Sequence, residues 1–173
     1  AAAAIRRADL LAIGPGSLYT SLVPNLLIPG IRHAVADSRA PRVLLLNLMT
    51  QPGETDGMDA AAHLRALTRH AAEGDDHLRV DVALANSTPL PADLLTHYAE
   101  SGSQPVTVDR DAFTAAGVEL VETDLLDTEA AASGLIRHDS DKLAATVADL
   151  LDRDRSHGAG RRPGPRAVAP PGG

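Results

Sequence analysis

The 173-residue sequence contains no cysteine, no tryptophan and a single phenylalanine. Without cysteine, the chain cannot form disulfides, use thiol chemistry or bind zinc through sulfur. Aromatic residues make up only 2% of the chain, which argues against an aromatic stacking platform for single-stranded nucleic acid. The core must therefore consist of Leu, Val, Ile and Ala, and a hydrophobic content of 44% is enough for one folded domain.

Positive charge is also scarce, with 16 Lys and Arg against 23 Asp and Glu and a formal net charge of -7. This balance argues against non-specific binding to nucleic acid or to an acidic membrane surface. No apolar run approaches the roughly 20 residues that span a bilayer, and no secretion signal precedes the first apolar run. The absence of cysteine agrees with a reducing cytoplasm. Because a strand pattern begins within the first ten residues and no initiator Met precedes it, we expect the domain to be incomplete at its N terminus.

Short apolar runs alternate with segments of helical spacing along most of the chain. The runs predict strands at residues 9–14, 42–48, 80–85, 105–108 and 118–122. Helical patterns cover residues 18–27 (interrupted at Pro24), 30–38, 58–72, 91–100 and 141–151. This alternation predicts an α/β protein with a three-layer, Rossmann-like fold and a mostly parallel sheet over residues 1–152. Residues 153–173 are rich in Gly, Pro and Arg, which predicts a disordered tail.

The first polar loop, residues 14–21 (GPGSLYTS), follows the first predicted strand. Ligands of open parallel sheets bind beyond the carboxyl ends of the strands. Gly14 and Gly16 permit close backbone approach and a positive φ, and free N–H groups at the start of the next helix favour phosphate. Tyr19 replaces the third Gly of a G-x-G-x-x-G motif, so the pattern alone leaves both a ligand loop and a plain tight turn open. The candidate ligand residues here are Gly14, Gly16, Ser17, Tyr19, Thr20 and Asn25.

The second polar loop, residues 47–57 (NLMTQPGETDG), follows the second predicted strand. Its polar side chains are denser than a connection requires, which favours a ligand role. Glu54 and Asp56 are the candidates for holding Mg²⁺, accepting ribose hydroxyls or acting as a base. The alternative is helix capping by Thr55 or Asp56, with Asp59 adding favourable charge. The candidate residues of this loop are Asn47, Thr50, Gln51, Glu54, Thr55 and Asp56.

Two further positions carry polar groups near predicted strand or helix ends. Arg137 can reach a phosphate with two hydrogen bonds, and His138 can bond to a base or sugar. The alternative is a helix start that Asp139 or Ser140 caps, with Arg137 in solvent. Asn86 is either a turn former or a ligand contact. The spacing of the histidines does not indicate a metal site.

Three motifs taken together resemble one known family. They are IGPGSLYTSLVPNLLIPGI at residues 13–31, NLMTQPGETDG at residues 47–57 and IRHDSDKLA at residues 136–144. Over residues 5–152 the chain is similar to the gluconeogenesis factors, which form part of a CofD-like superfamily with the 2-phospho-L-lactate transferases. The resemblance implies a cytoplasmic, Rossmann-like protein that binds UDP-N-acetylglucosamine and regulates cell shape and wall synthesis during gluconeogenic growth. It also implies that Arg137 contacts the ligand and that Ser140 is a candidate for phosphorylation.

The chain departs from this family in one respect, because the Gly-rich G-T-G-G-T-G loop and the Asp-rich segment of the family are absent. We therefore expect a C-terminal part of a longer protein that acts as a ligand-binding regulator, for which the sequence identifies no cofactor with certainty. The alternatives are an Mg²⁺-dependent transferase that uses a nucleotide diphosphate donor, with Glu54 or Asp56 as metal ligand or base, and a pure interaction module. The sequence leaves a homo-oligomer open.

Overall fold

The structure, a computed structural model, describes residues 1–71 and 78–158. Its framework is a parallel sheet in the order β1-β2-β3-β4. The strands are β1 (Leu11–Ile13), β2 (Arg42–Leu45), β3 (Val82–Asn86) and β4 (Glu119–Thr123). Leu11 is in register with Arg42, Val43 with Val82, and Val82 with Glu119. Because parallel neighbours need crossover connections, helical segments lie between the strands.

The helical segments follow one another in chain order. They are α1 (Ala2–Ile5), a π-helical turn (Leu18–Leu22), α2 (Val23–Leu26), α3 (Pro29–Asp37), α4 (Ala60–His70), α5 (Ala92–Glu100), α6 (Arg110–Ala115), α7 (Thr128–Ala132) and α8 (Ser140–Gly158). Asp59 caps α4 by accepting a hydrogen bond from the Ala62 N–H group at 2.6 Å. The alternative in which Thr55 or Asp56 caps this helix is therefore wrong.

Side chains of the two central strands alternate between the faces of the sheet. On one face, Val43 and Leu84 pack with Leu150 of α8. On the other face, Leu44 and Ala83 pack with a larger cluster that includes α4 and α6. Burial of both faces explains why these strands are continuously apolar in sequence. The predicted three-layer α/β architecture with a parallel sheet is confirmed.

Most predicted elements are present with shifted ends, and residues 105–108 are the exception. They form no strand in the described part of the chain. Pro105 makes one antiparallel bridge with Met49, and the Val106 N–H group donates to the Leu48 carbonyl at 3.0 Å. This segment therefore pairs with the second loop instead of joining the sheet.

The helices contain three further differences from the prediction. Residues 18–26 stay helical through Pro24, which lies in the first turn of α2, where the π-helical turn gives way to that helix. The short helices α1, α6 and α7 were not predicted. Helix α8 continues to Gly158, past the residue 153 at which the sequence predicts the tail to begin; the rest of the tail lies outside the described residues.

Candidate functional site

Asn47, the first residue of the second loop, joins that loop to the first. Its side-chain Oδ1 accepts from the Gly16 N–H group at 3.3 Å, and its Nδ2 donates to the Gly16 carbonyl at 3.0 Å. The two loops follow neighbouring strands, so the carboxyl ends of β1 and β2 bring them together. One amide side chain thus satisfies both backbone groups of Gly16.

Three more side chains, those of Ser17, Gln51 and Glu54, connect the loops. The Ser17 hydroxyl donates to Gln51 Oε1 at 2.7 Å. The Glu54 carboxylate accepts from the Tyr19 and Thr20 N–H groups at 2.6 and 3.2 Å. These are the N–H groups that the sequence offers to a phosphate at the helix start. A ligand anion at this position would therefore replace Glu54 as their acceptor.

The two glycines of the first loop, Gly14 and Gly16, differ in backbone conformation. Gly14 has a φ of +92°, and a Cβ atom there would lie 3.1 Å from the Leu45 carbonyl oxygen. Any other residue at position 14 would therefore be strained and crowded against β2. Gly16 does not adopt a positive φ, so that part of the expectation is wrong, and its contribution is through its backbone bonds to Asn47.

Several predicted ligand residues of the second loop are engaged with the protein itself. Thr50 is 5% exposed and accepts from the Gln104 N–H group at 2.9 Å. Thr55 is 2% exposed and accepts from the Gln51 N–H group at 2.8 Å. Asp56 accepts from the Gly53 N–H group at 2.8 Å. These three side chains hold the shape of the loop.

Asn25 and Asn86 form local hydrogen bonds. Asn25 Nδ2 donates to the Ser21 carbonyl one helical turn earlier, at 2.7 Å. Asn86 Oδ1 accepts from the Leu125 N–H group at 3.0 Å and its Nδ2 donates to the Thr88 carbonyl at 2.7 Å. Asn86 therefore holds the turn after β3 against the turn after β4, as a turn former does.

Arg137 lies at the surface before α8, where its Nε group donates to Asp127 Oδ2 at 3.0 Å. Its side chain is 64% exposed, whereas that of Asp127 is 18% exposed. Hydrogen bonds from the Ala130 N–H group and then from Arg137 hold the pKa of Asp127 below its ordinary value. Asp127 thus orients the guanidinium group while leaving most of it open to solvent.

His138 follows Arg137 and is half-buried. Burial lowers the pKa of its ring below the ordinary value, and a hydrogen bond with the Leu46 backbone opposes this shift. The ring nitrogen Nε2 is buried and contacts no hydrogen-bonding group within the described part of the chain. At neutral pH the neutral imidazole is therefore favoured.

Asp139 caps α8 by accepting from the N–H groups of Asp141 and Lys142, so one of the two expected caps is confirmed.

A groove of about 700 Å³ brings the first loop and the Arg137 segment together. Its lining includes Gly14, Pro15 and Leu45 of the β1 and β2 ends, together with Arg137, His138 and Ser140. The apolar face of α8 forms the rest of the wall, with Leu143, Ala144, Val147, Ala148 and Leu151. The groove therefore offers a guanidinium group and a hydroxyl beside an apolar surface.

Tyr98 and Lys142 stabilise this region and were missed in the sequence. The Tyr98 hydroxyl accepts from the Ile136 N–H group at 3.0 Å, next to Arg137. Lys142 Nζ donates to Asp124 Oδ2 at 2.7 Å and to the Leu126 carbonyl at 2.9 Å. Both contacts join residues that are far apart in sequence, so no local pattern indicates them.

A family model described as 2-phospho-L-lactate transferase CofD matches residues 1–126. The chain belongs to the CofD family. It is 40% identical over 147 residues to the gluconeogenesis factor of Bacillus subtilis (strain 168), and this match covers 85% of this chain and 44% of that protein. It is also 40% identical over 153 residues to the gluconeogenesis factor of Halalkalibacterium halodurans, covering 88% of this chain and 45% of that protein.

A solved structure supports the same assignment for this CofD family chain. A Bacillus halodurans protein, described as a member of the UPF0052 family, superposes with a TM-score of 0.77 at 38% identity. The match covers 85% of this chain and 45% of the other. The resemblance to the gluconeogenesis factors is thereby confirmed. The chain spans about half the length of the curated relatives it matches.

Neither a cluster of metal ligands nor a membrane-spanning helix occurs in the part of the chain that the structure describes. Among residues 1–71 and 78–158, no group of three or more His, Asp or Glu side chains could hold a metal ion. Mg²⁺ binding by Glu54 or Asp56 stays a prediction. In the same part of the chain, every helix is too short or too polar to cross a bilayer.

Proposed function

We propose that this chain forms part of a binding site for a nucleotide diphosphate sugar, of the UDP-N-acetylglucosamine type. In this proposal it belongs to a cytoplasmic regulator of cell shape and wall synthesis during gluconeogenic growth. The observation that carries the proposal is the position of Arg137 in the groove beside Gly14. A guanidinium group presents a planar set of donors that matches a phosphate group.

The negative net charge of the chain favours a ligand whose diphosphate is bound by only a few protein groups, such as Arg137. The chain has a net charge of -7, so it has no broad basic surface to attract a polyanion. Arg137 uses only its Nε group on Asp127, which leaves its terminal nitrogens available for a ligand. The apolar wall of α8 suits the less polar part of a nucleotide sugar, since ligand grooves combine apolar surface with a few polar groups.

The direct test is isothermal titration calorimetry of the full-length protein with UDP-N-acetylglucosamine. Arg137→Ala should weaken binding by about 1.5–3 kcal/mol, because it removes a charge-assisted hydrogen bond. Arg110→Ala is the matched control, since Arg110 forms a similar exposed ion pair with Glu122 at 2.6 Å but does not line the groove. Equal affinities of wild type and Arg137→Ala would remove Arg137 from the site.

Ser140 provides a candidate means of regulation at the same groove. It is exposed, begins α8 and lines the groove with Arg137. A phosphate on Ser140 would add about -1.5 to -2 charges near Arg137 and compete with a ligand diphosphate. Mass spectrometry of the protein from cells should detect this phosphate, and a Ser140 that is always unmodified would reject the proposal.

The description of the matching family favours a second candidate, an Mg²⁺-dependent phospholactate-type transferase. Glu54 is the residue to examine, because the Tyr19 and Thr20 N–H groups of the first loop both donate to the same carboxylate oxygen, Oε1. Incubation of the full-length protein with a nucleotide diphosphate donor, Mg²⁺ and a deazaflavin acceptor decides this point. Absence of product at saturating substrate would reject the transferase.

A further inference from the structure

His63 of α4 is a buried residue whose ring has one nitrogen without a protein partner. The residue is 4% exposed, and its Nδ1 atom lies 2.8 Å from the Asp59 carbonyl oxygen, one helical turn earlier. Because a carbonyl oxygen can only accept, Nδ1 carries the proton of the neutral ring, and the distal nitrogen Nε2 is an acceptor. Nε2 is buried, and no residue that the structure describes donates to it. A donor that reached Nε2 would therefore be bound favourably.

A small cavity of about 10 Å³ lies beside His63. Most of its lining consists of leucines from β2, from the residue after β2 and from the π-helical turn: Leu18, Leu22, Leu44, Leu45 and Leu46. The remaining lining residue is Asn47, which joins the two polar loops. The volume is about the space that one water molecule needs, and it is too small for a larger ligand.

The amide of Asn47 has hydrogen-bonding positions beyond those that Gly16 uses. An Asn side chain has two N–H donors and an oxygen with two lone pairs. One N–H group donates to the Gly16 carbonyl, and one lone pair accepts from the Gly16 N–H group. The second N–H donor of Asn47 and the acceptor Nε2 of His63 thus belong to side chains that line the same cavity. A water molecule between them would satisfy both.

We propose that this cavity binds one buried water molecule, which donates to His63 Nε2 and accepts from Asn47 Nδ2. Two polar partners are enough to hold a buried water, and such waters are costly to remove. His63 is then a positioning residue. Through the water it fixes the Asn47 amide, and the Asn47 amide fixes Gly16 of the first loop. Helix α4 is thereby connected to both polar loops, whichever ligand those loops bind.

The first test is nuclear magnetic resonance of the full-length protein with 15N-labelled histidine. We expect the His63 ring to carry its proton on Nδ1, and its Hε1 proton to show cross-relaxation with a bound water. The lining of the cavity has no side-chain hydroxyl that could imitate this signal. The loss of these signals in His63→Gln assigns them. A proton on Nε2, an absent water signal or a direct coupling between His63 Nε2 and Asn47 Nδ2 would each overturn the proposal.

The second test is hydrogen exchange of the Gly16 N–H group, which reports how firmly Asn47 is held. His63→Leu removes the acceptor but keeps the site filled, so Gly16 should exchange about three- to tenfold faster, as for the loss of one hydrogen bond. His63→Gln retains an oxygen that can accept from the water, and exchange should stay within about twofold of wild type. His97→Leu is the matched control, because His97 is 75% exposed and does not line the cavity.

The Val106 N–H group separates a local effect from a general loss of stability. It donates to the Leu48 carbonyl at 3.0 Å, so its exchange should be unchanged in His63→Leu. Equal acceleration at Gly16 and Val106 would mean that His63 only stabilises the fold. Unchanged exchange at Gly16 in His63→Leu, or exchange in His63→Gln as fast as in His63→Leu, would remove the water link between α4 and the loops.

Discussion

Asn47→Ala tests how the two loops are held together at the edge of the sheet. The Asn47 side chain forms two partly buried hydrogen bonds with Gly16, at 3.3 and 3.0 Å. Each such bond contributes a net 0.5–1.5 kcal/mol, so their loss should lower the free energy of unfolding by about 1–3 kcal/mol. Urea unfolding followed by circular dichroism measures this change, provided that the m-value is unaltered.

Asn25→Ala is the matched control for this measurement. It removes the same side chain from the same region, but its hydrogen bond to the Ser21 carbonyl is exposed and local. We expect a change of less than about 0.5 kcal/mol, as for most surface substitutions. If Asn47→Ala were no more destabilising than Asn25→Ala, the side-chain bridge would not determine how the loops are joined.

Two further predictions concern the core and the His138 segment. Phe113 is fully buried, so Phe113→Ala should lower the free energy of unfolding by about 3–5 kcal/mol. Leu135→Ala, at a side chain that is 52% exposed, should have little effect. A loss below about 1 kcal/mol for Phe113→Ala would contradict the packing. Burial lowers the pKa of His138 in the folded state below 6.5, so the unfolded chain binds the proton first as the pH falls. The stabilising effect of a neutral His138 is therefore fully present above pH 6.5, and it is lost as the pH falls towards the folded pKa. His138→Gln should reduce this acid sensitivity in unfolding measured as a function of pH, and identical pH profiles of the two proteins would refute it.

The sheet could be predicted because its buried strands are continuous apolar segments of the sequence. Strands buried on both faces are uninterrupted runs of Val, Leu and Ala, as in residues 43–45 and 82–85. The position of both loops followed from the rule that parallel strands end at one edge. Residues 105–108 resemble a strand equally well, but their partner is the backbone at Leu48 and Met49, and no local pattern specifies that partner.

The short helices α6 and α7 could have been found from their caps. Asp109 accepts from the Asp111 and Ala112 N–H groups, and Asp127 accepts from the Ala130 N–H group. An Asp before a short run of Ala-rich sequence is a helix-start signal. Helices α6 and α7 are too short for apolar periodicity to show, so the cap is the one sequence feature that marks them.

The site was less predictable than the fold, because polar residues serve two purposes. Thr50 and Thr55 have the hydroxyl groups that a ligand would use, yet both are buried and bonded within the protein. The support of Arg137 by Asp127 and Tyr98 depends on contacts between distant residues. Sequence therefore identifies the polar loops but does not separate their structural side chains from those open to a ligand.

The most direct test of the proposed nucleotide site is a crystal structure of the full-length protein with UDP-N-acetylglucosamine. We predict that the diphosphate lies in the groove between Gly14 and Arg137, with an Arg137 terminal nitrogen within hydrogen-bonding distance of a phosphate oxygen. A ligand bound elsewhere, with Arg137 still directed only to Asp127, would contradict the account.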